Sequence, residues 1–84
     1  MKLRLENGED AEATAFEANR LTLRSPRAFA PGAPIRFETT DDEPRSFEGR
    51  TIGSKRVEEG CFEVRLRFVN LRRGERELLV QKLG

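Results

Sequence analysis

From Cys61 to Asn70 apolar and charged residues take turns: Phe62, Val64, Leu66 and Phe68 alternate with Glu63, Arg65 and Arg67. Successive side chains of a strand point to opposite faces, so this alternation describes a strand with one face buried and a strongly charged face in water. A helix would scatter the same apolar residues around its circumference. The segment therefore commits the chain to a sheet with a covered inner face. With 84 residues in all, halves near 40 residues would need disulfides or metals to fold. Residues 1–84 are read as a single domain, and the rest of that domain must supply the cover.

Turn signals cut the remainder into short segments, as in all-β domains. Lys2 to Glu6 is predicted as the first strand, closed by Asn7-Gly8, a pair that favours a tight hairpin; Glu9-Asp10 can lengthen the loop. Ala11 to Phe16 is the second strand, on weak propensity. Leu21 to Arg24 is the third, ended by Ser25-Pro26, and Arg27 to Pro34 must be a loop because of Pro31, Gly32 and Pro34. Ile35 to Thr39 is the fourth, with Ile35 and Phe37 inward and Arg36 and Glu38 outward. Thr40 to Pro44 is a polar turn, and the acidic trio Asp41-Asp42-Glu43 is read as solvated rather than as a cation loop, since it lacks that spacing. Ser46 to Val57 is a long fifth strand whose Gly49 and Gly53 predict a bulge or a sharp bend. Glu58 to Gly60 is a turn, and the segment first described is the sixth strand. Leu71, Glu75, Leu78, Leu79 and Leu83 then fall at helical spacing, with the cap at Asn70 or near Arg73 and Gly84 as the terminator. The expected fold is all-β: a small six-stranded antiparallel barrel with a C-terminal helix closing or flanking one end.

The residue inventory excludes much chemistry. There is no His, Trp or Tyr, and Cys61 is the single cysteine. Imidazole catalysis, a zinc cluster and an intrachain disulfide are therefore out of reach. Cys61 has no partner base and is read as a small half-buried residue. No apolar run of ~18 residues exists to span a membrane, and a cytoplasmic setting is expected. Sixteen Lys and Arg against fifteen Asp and Glu give a net charge of +1, too little for a nucleic-acid surface without exposed aromatics beside it. Enzymatic activity, a cofactor and nucleic acid are accordingly not expected.

The order of segments resembles the PilZ domain of bacteria. The likeness rests on Leu21-Thr22-Leu23-Arg24-Ser25-Pro26-Arg27 with Pro31-Gly32-Ala33-Pro34-Ile35-Arg36-Phe37, on Phe47-Glu48-Gly49-Arg50-Thr51-Ile52, and on Phe62 to Leu71 with Glu75-Arg76-Glu77-Leu78-Leu79. These stretches lie within residues 11 to 83. The resemblance implies a PilZ-type barrel and a place in cyclic di-GMP signalling. The family binds that dinucleotide through an RxxxR arm before the first strand and a [D/N]xSxxG stretch leading into the strand at Leu21. Both depart here. Met1 lies almost in the first strand, and no Arg stands four residues from Arg4. Ala15, Glu17 and Arg20 occupy the second motif's positions; a two-residue deletion brings Glu17 and Asn19 to the first two and still leaves no glycine. A Glu17 carboxylate facing phosphates is unfavourable unless paired.

The resemblance with its degenerate motifs implies a non-enzymatic module that acts through protein contacts. The expected partner-facing residues are Arg20, Arg24, Arg27 and Arg36 on the outer sheet face, or Arg72, Arg73 and Arg76 on the helix. The first four gather on one face if the third and fourth strands are neighbours. The alternative is a cyclic di-GMP receptor with a displaced site at Arg4, Asn19 or Arg20. Arg65 and Arg67, with Glu63, are expected to pair with Glu48, Arg50 or Lys55 on the preceding strand and so to support the sheet. Phe29, in the Pro-Gly loop, either plugs the barrel end or is presented to a partner.

Overall fold

The computed structural model describes residues 1–41 and 43–83. Its strands are Lys2–Leu5 (β1), Asp10–Glu17 (β2), Arg20–Ser25 (β3), Pro34–Thr39 (β4), Ser46–Glu58 (β5) and Cys61–Phe68 (β6), followed by the helix Arg73–Leu83 (α1). The order around the closed antiparallel barrel is β1-β2-β3-β6-β5-β4. Two three-stranded meanders, β1-β2-β3 and β4-β5-β6, thus meet through two long-range pairings, β3 with β6 and β1 with β4. The expected all-β barrel with a C-terminal helix is the observed one. The third and fourth strands, however, are not neighbours: β3 lies between β2 and β6, and β4 between β1 and β5.

Alternation sets the core. Leu3, Leu5, Leu21, Leu23, Ile35, Phe37, Phe47, Val64, Leu66 and Phe68 all point inward and are buried. Phe16, Phe37 and Phe47 surround Phe68 at centroid distances of 5.9, 6.3 and 5.8 Å. Phe29, in the Pro-Gly loop, is half-buried and packs against this core. The Ser54 hydroxyl fixes it there, accepting from the Phe29 N–H at 2.8 Å and donating to the Phe29 carbonyl at 2.7 Å.

The turns follow local chemistry. Gly8 takes φ 91° in the β1–β2 loop, where the Asn7 carboxamide oxygen accepts from the Glu9 N–H at 2.9 Å. The loop is longer than a two-residue hairpin, with β2 starting at Asp10. Ser25 ends β3 by accepting from the Arg27 N–H at 3.0 Å. The Thr39 hydroxyl accepts from the Arg45 N–H at 2.9 Å and closes the β4–β5 turn. Of the acidic trio, Asp41 and Glu43 are exposed, and Asp42 lies outside the described residues.

The two glycines of β5 serve different ends. Gly53 sits where the β5–β6 register shifts, the bulge its sequence suggested. Gly49 marks a close approach: a Cβ there would stand 2.7 Å from both the Arg67 carbonyl oxygen and Leu66 Cδ1.

The helix begins at Arg73 with Arg72 as its cap. The Arg72 carbonyl accepts from the Arg76 N–H at 2.9 Å, and the Glu75 carboxylate reaches back to the Arg72 N–H at 3.0 Å. Leu79 is fully buried in the barrel core, and α1 packs on β2. Gly84, the expected terminator, lies outside the described residues. No helix among the described residues is long and apolar enough to cross a membrane.

Candidate functional site

Direct cross-strand register decides which outward charges meet. One ring of outward positions reads Lys2, Glu12, Arg24, Glu63, Lys55 across β1, β2, β3, β6 and β5. Opposite charges alternate there, as sheet stability favours. The ring toward the β2–β3 turn breaks this rule. Glu17 faces Arg20, Arg20 faces Arg67, and Arg67 faces Arg50. Three arginines therefore stand side by side on neighbouring strands, roughly 4.8 Å apart in the backbone. Arg65 lies two residues along β6, opposite Thr22.

The ion pairs of the described residues lie elsewhere. Arg4 reaches Asp10 at 3.9 Å, and Arg36 reaches Glu6 at 3.4 Å and Glu48 at 3.6 Å. Those two carboxylates, Glu48 foremost, raise the Arg36 pKa. Arg27 Nε donates to Glu9 at 2.7 Å, and that bond holds the Glu9 carboxyl below its ordinary value. Arg20, Arg24, Arg65 and Arg67 are exposed and have no carboxylate within ion-pair distance among the described residues. Arg50 makes one hydrogen bond, to the Gly32 carbonyl at 3.2 Å.

The four sheet arginines expected on one outer face are thus divided. Arg20 and Arg24 share the outer face of β3. Arg27 and Arg36 lie elsewhere and are neutralised by glutamates. Arg50, Arg65 and Arg67, expected to support the sheet by pairing, complete the face instead. Arg67 meets Arg50 where Glu48 could have served it. On the helix, Arg73 pairs with Glu77 at 3.5 Å and Arg76 Nη2 donates to the Asn19 carboxamide at 3.1 Å, while Arg72 is the cap.

Arg4, Asn19 and Arg20 are not brought together. Arg4 faces Asp10 at one end of β2 and Arg20 faces Glu17 at the other, seven residues and about 23 Å of extended strand away. Asn19 has a structural task. Ala18 and Asn19 take φ 50° and 66°, the left-handed pair of a two-residue hairpin. The Asn19 carboxamide nitrogen donates to the Phe68 carbonyl at 3.2 Å and its oxygen accepts from Arg76, which joins turn, β6 and helix. No sequence signal pointed to this clamp, because Ala is a poor marker of a left-handed turn.

A groove of about 740 Å³ lies between β1, β4 and β5 and the segment leading into α1, with Phe37, Phe47 and Phe68 in its floor. Its lining carries three arginines, Arg4, Arg36 and Arg72, against four glutamates, Glu6, Glu38, Glu48 and Glu75. That balance does not favour a dinucleotide with two phosphates. The Cys61 thiol is half-buried and free. Among the described residues no three His, Cys, Asp or Glu side chains converge as metal ligands. Comparison of the chain with protein-family models, curated proteins and solved structures gave no match.

Proposed function

We propose that the chain is a non-enzymatic, PilZ-like signalling module that works by contacting another protein and does not bind cyclic di-GMP through the usual motifs. The supporting observation is the set of exposed guanidinium groups on β3 and β6 that no carboxylate of the described residues neutralises, whereas Arg4, Arg27, Arg36, Arg45 and Arg73 each stand within ion-pair distance of one. Guanidinium groups held side by side repel one another, and an acidic partner removes that repulsion. Arginine is also the charged side chain most favoured at protein interfaces, because its planar, weakly hydrated head pairs bidentately with carboxylates.

Two arms of one binding study test this reading. Calorimetric titration with cyclic di-GMP to high micromolar ligand is expected to be silent. The tagged protein is expected to capture a partner from a bacterial extract, and replacing Arg20, Arg24, Arg65 and Arg67 by Glu is expected to abolish that capture without unfolding the barrel. A saturable heat at micromolar affinity, or capture that ignores the four substitutions, overturns it.

A further inference from the structure

Resting on the interaction-module reading, we infer that the outer face of β3, β6 and β5 takes an extended acidic protein segment, with Arg20, Arg50, Arg65 and Arg67 as its anion-binding frame and Ile52 as its apolar contact. Ile52 is 41% exposed. It follows Arg50 by two positions on β5 and precedes Gly53, which stands opposite Arg65. An apolar side chain is thereby framed by unpaired arginines, the composition of a protein interface.

Pitch points to the shape of the occupant. Arg65 and Arg67 are two residues apart on one strand, roughly 7 Å at strand rise. Carboxylates at alternate positions of an extended peptide repeat at the same spacing. A segment laid along β6 can therefore match Arg65 and Arg67 in turn, while Arg20 and Arg50 reach it from the strands on either side.

Nucleic acid fits less well. The bases would need aromatic platforms, but Phe16, Phe37, Phe47 and Phe68 are buried and Phe29 and Phe62 pack against the core. Glu17 and Glu63 bracket the arginines at the two ends of the face. The net charge of +1 gives no long-range field for a phosphate backbone.

The probe is a fluorescein-labelled (Glu-Ser)5 peptide followed by polarisation at low salt, with (Gln-Ser)5 and a ten-nucleotide oligothymidylate as comparators. Saturable binding of the Glu peptide alone is expected. Arg67→Glu should weaken it at least tenfold, and Arg36→Glu, with the same change in net charge, less than twofold. Arg67→Glu places a carboxylate between Arg20 and Arg50, so its melting temperature should hold or rise, which separates lost binding from lost fold. The inference is overturned by no saturable binding, by equal losses in the two variants, or by tighter binding of the oligothymidylate. If the peptide fails while the four Glu substitutions still abolish partner capture, the extended acidic segment is refuted as the occupant and the interaction-module reading stands.

Discussion

Gly49 and Gly53 lie four residues apart on the same strand, and the structure assigns them opposite responses to alanine. At Gly49 the new methyl would sit 2.7 Å from the Arg67 carbonyl oxygen and 2.7 Å from Leu66 Cδ1. The leucine tip can turn away. The carbonyl cannot, because Gly49 is held in register on both sides, with Phe68 of β6 and Ile35 of β4. Ordinary contact begins near 3.4 Å, so the strands must part by several tenths of an ångström. Overpacking of this kind costs about 1–3 kcal/mol. The lost freedom of the unfolded chain returns roughly 0.4–1 kcal/mol, leaving a net loss of about 1–2 kcal/mol. For 84 residues the unfolding entropy is ~0.18 kcal/mol/K, so the melting temperature of Gly49→Ala should fall by about 6–11 °C. At Gly53 nothing lies within 4 Å of the added Cβ. Only the unfolded-state effect acts there, and Gly53→Ala should melt about 2–6 °C higher. Thermal unfolding by circular dichroism reads both. A Gly49→Ala protein as stable as Gly53→Ala would refute the close approach of the two strands.

Thr51 is 3% exposed and its hydroxyl has no hydrogen-bond partner among the described residues. The near-isosteric Thr51→Val should therefore stabilise the barrel by about 1 kcal/mol in urea unfolding; a loss of stability would mean that the hydroxyl is satisfied, for example by buried water. Asn19 combines a left-handed backbone with the clamp on Phe68 and Arg76. Asn19→Gly keeps the first and should free the helix to exchange its amides faster while the strands stay protected, whereas Asn19→Ala should also lower the melting temperature; indistinguishable exchange in α1 would show that the clamp holds nothing.

The elements built on strong local signals were legible in the sequence. The Phe62–Phe68 alternation, the Ile35–Phe37 strand and the proline-bounded loop needed no partner to be recognised, because period and turn chemistry are properties of neighbouring residues. The β2–β3 turn was not legible, since Ala18 in a left-handed conformation contradicts its own preference and is imposed by the strands around it. The arginine face was legible only in part. Arg20 and Arg24 were marked by alternation, but the identity of their neighbours depends on β3 meeting β6. Arg20 and Arg67 are 47 positions apart in the chain and directly opposite in the sheet. No local rule sets that register; barrel closure does. Arg27 and Arg36 lie apart from it for the same reason, their glutamate partners being supplied by β5 and the β1–β2 loop.

The β3–β6 pairing carries one more consequence. It is one of two places where the separate meanders are sewn together, and two of the aligned arginines, Arg20 and Arg67, face each other across it. Their repulsion weakens a seam whose opening would split the barrel into two open-edged halves. If the proposed acidic partner bridges Arg20 and Arg67, it acts there as a staple, and occupancy of the face and closure of the barrel become a single linked equilibrium. Partner binding should then register as slower breathing of β3 against β6 as well as contact at the surface.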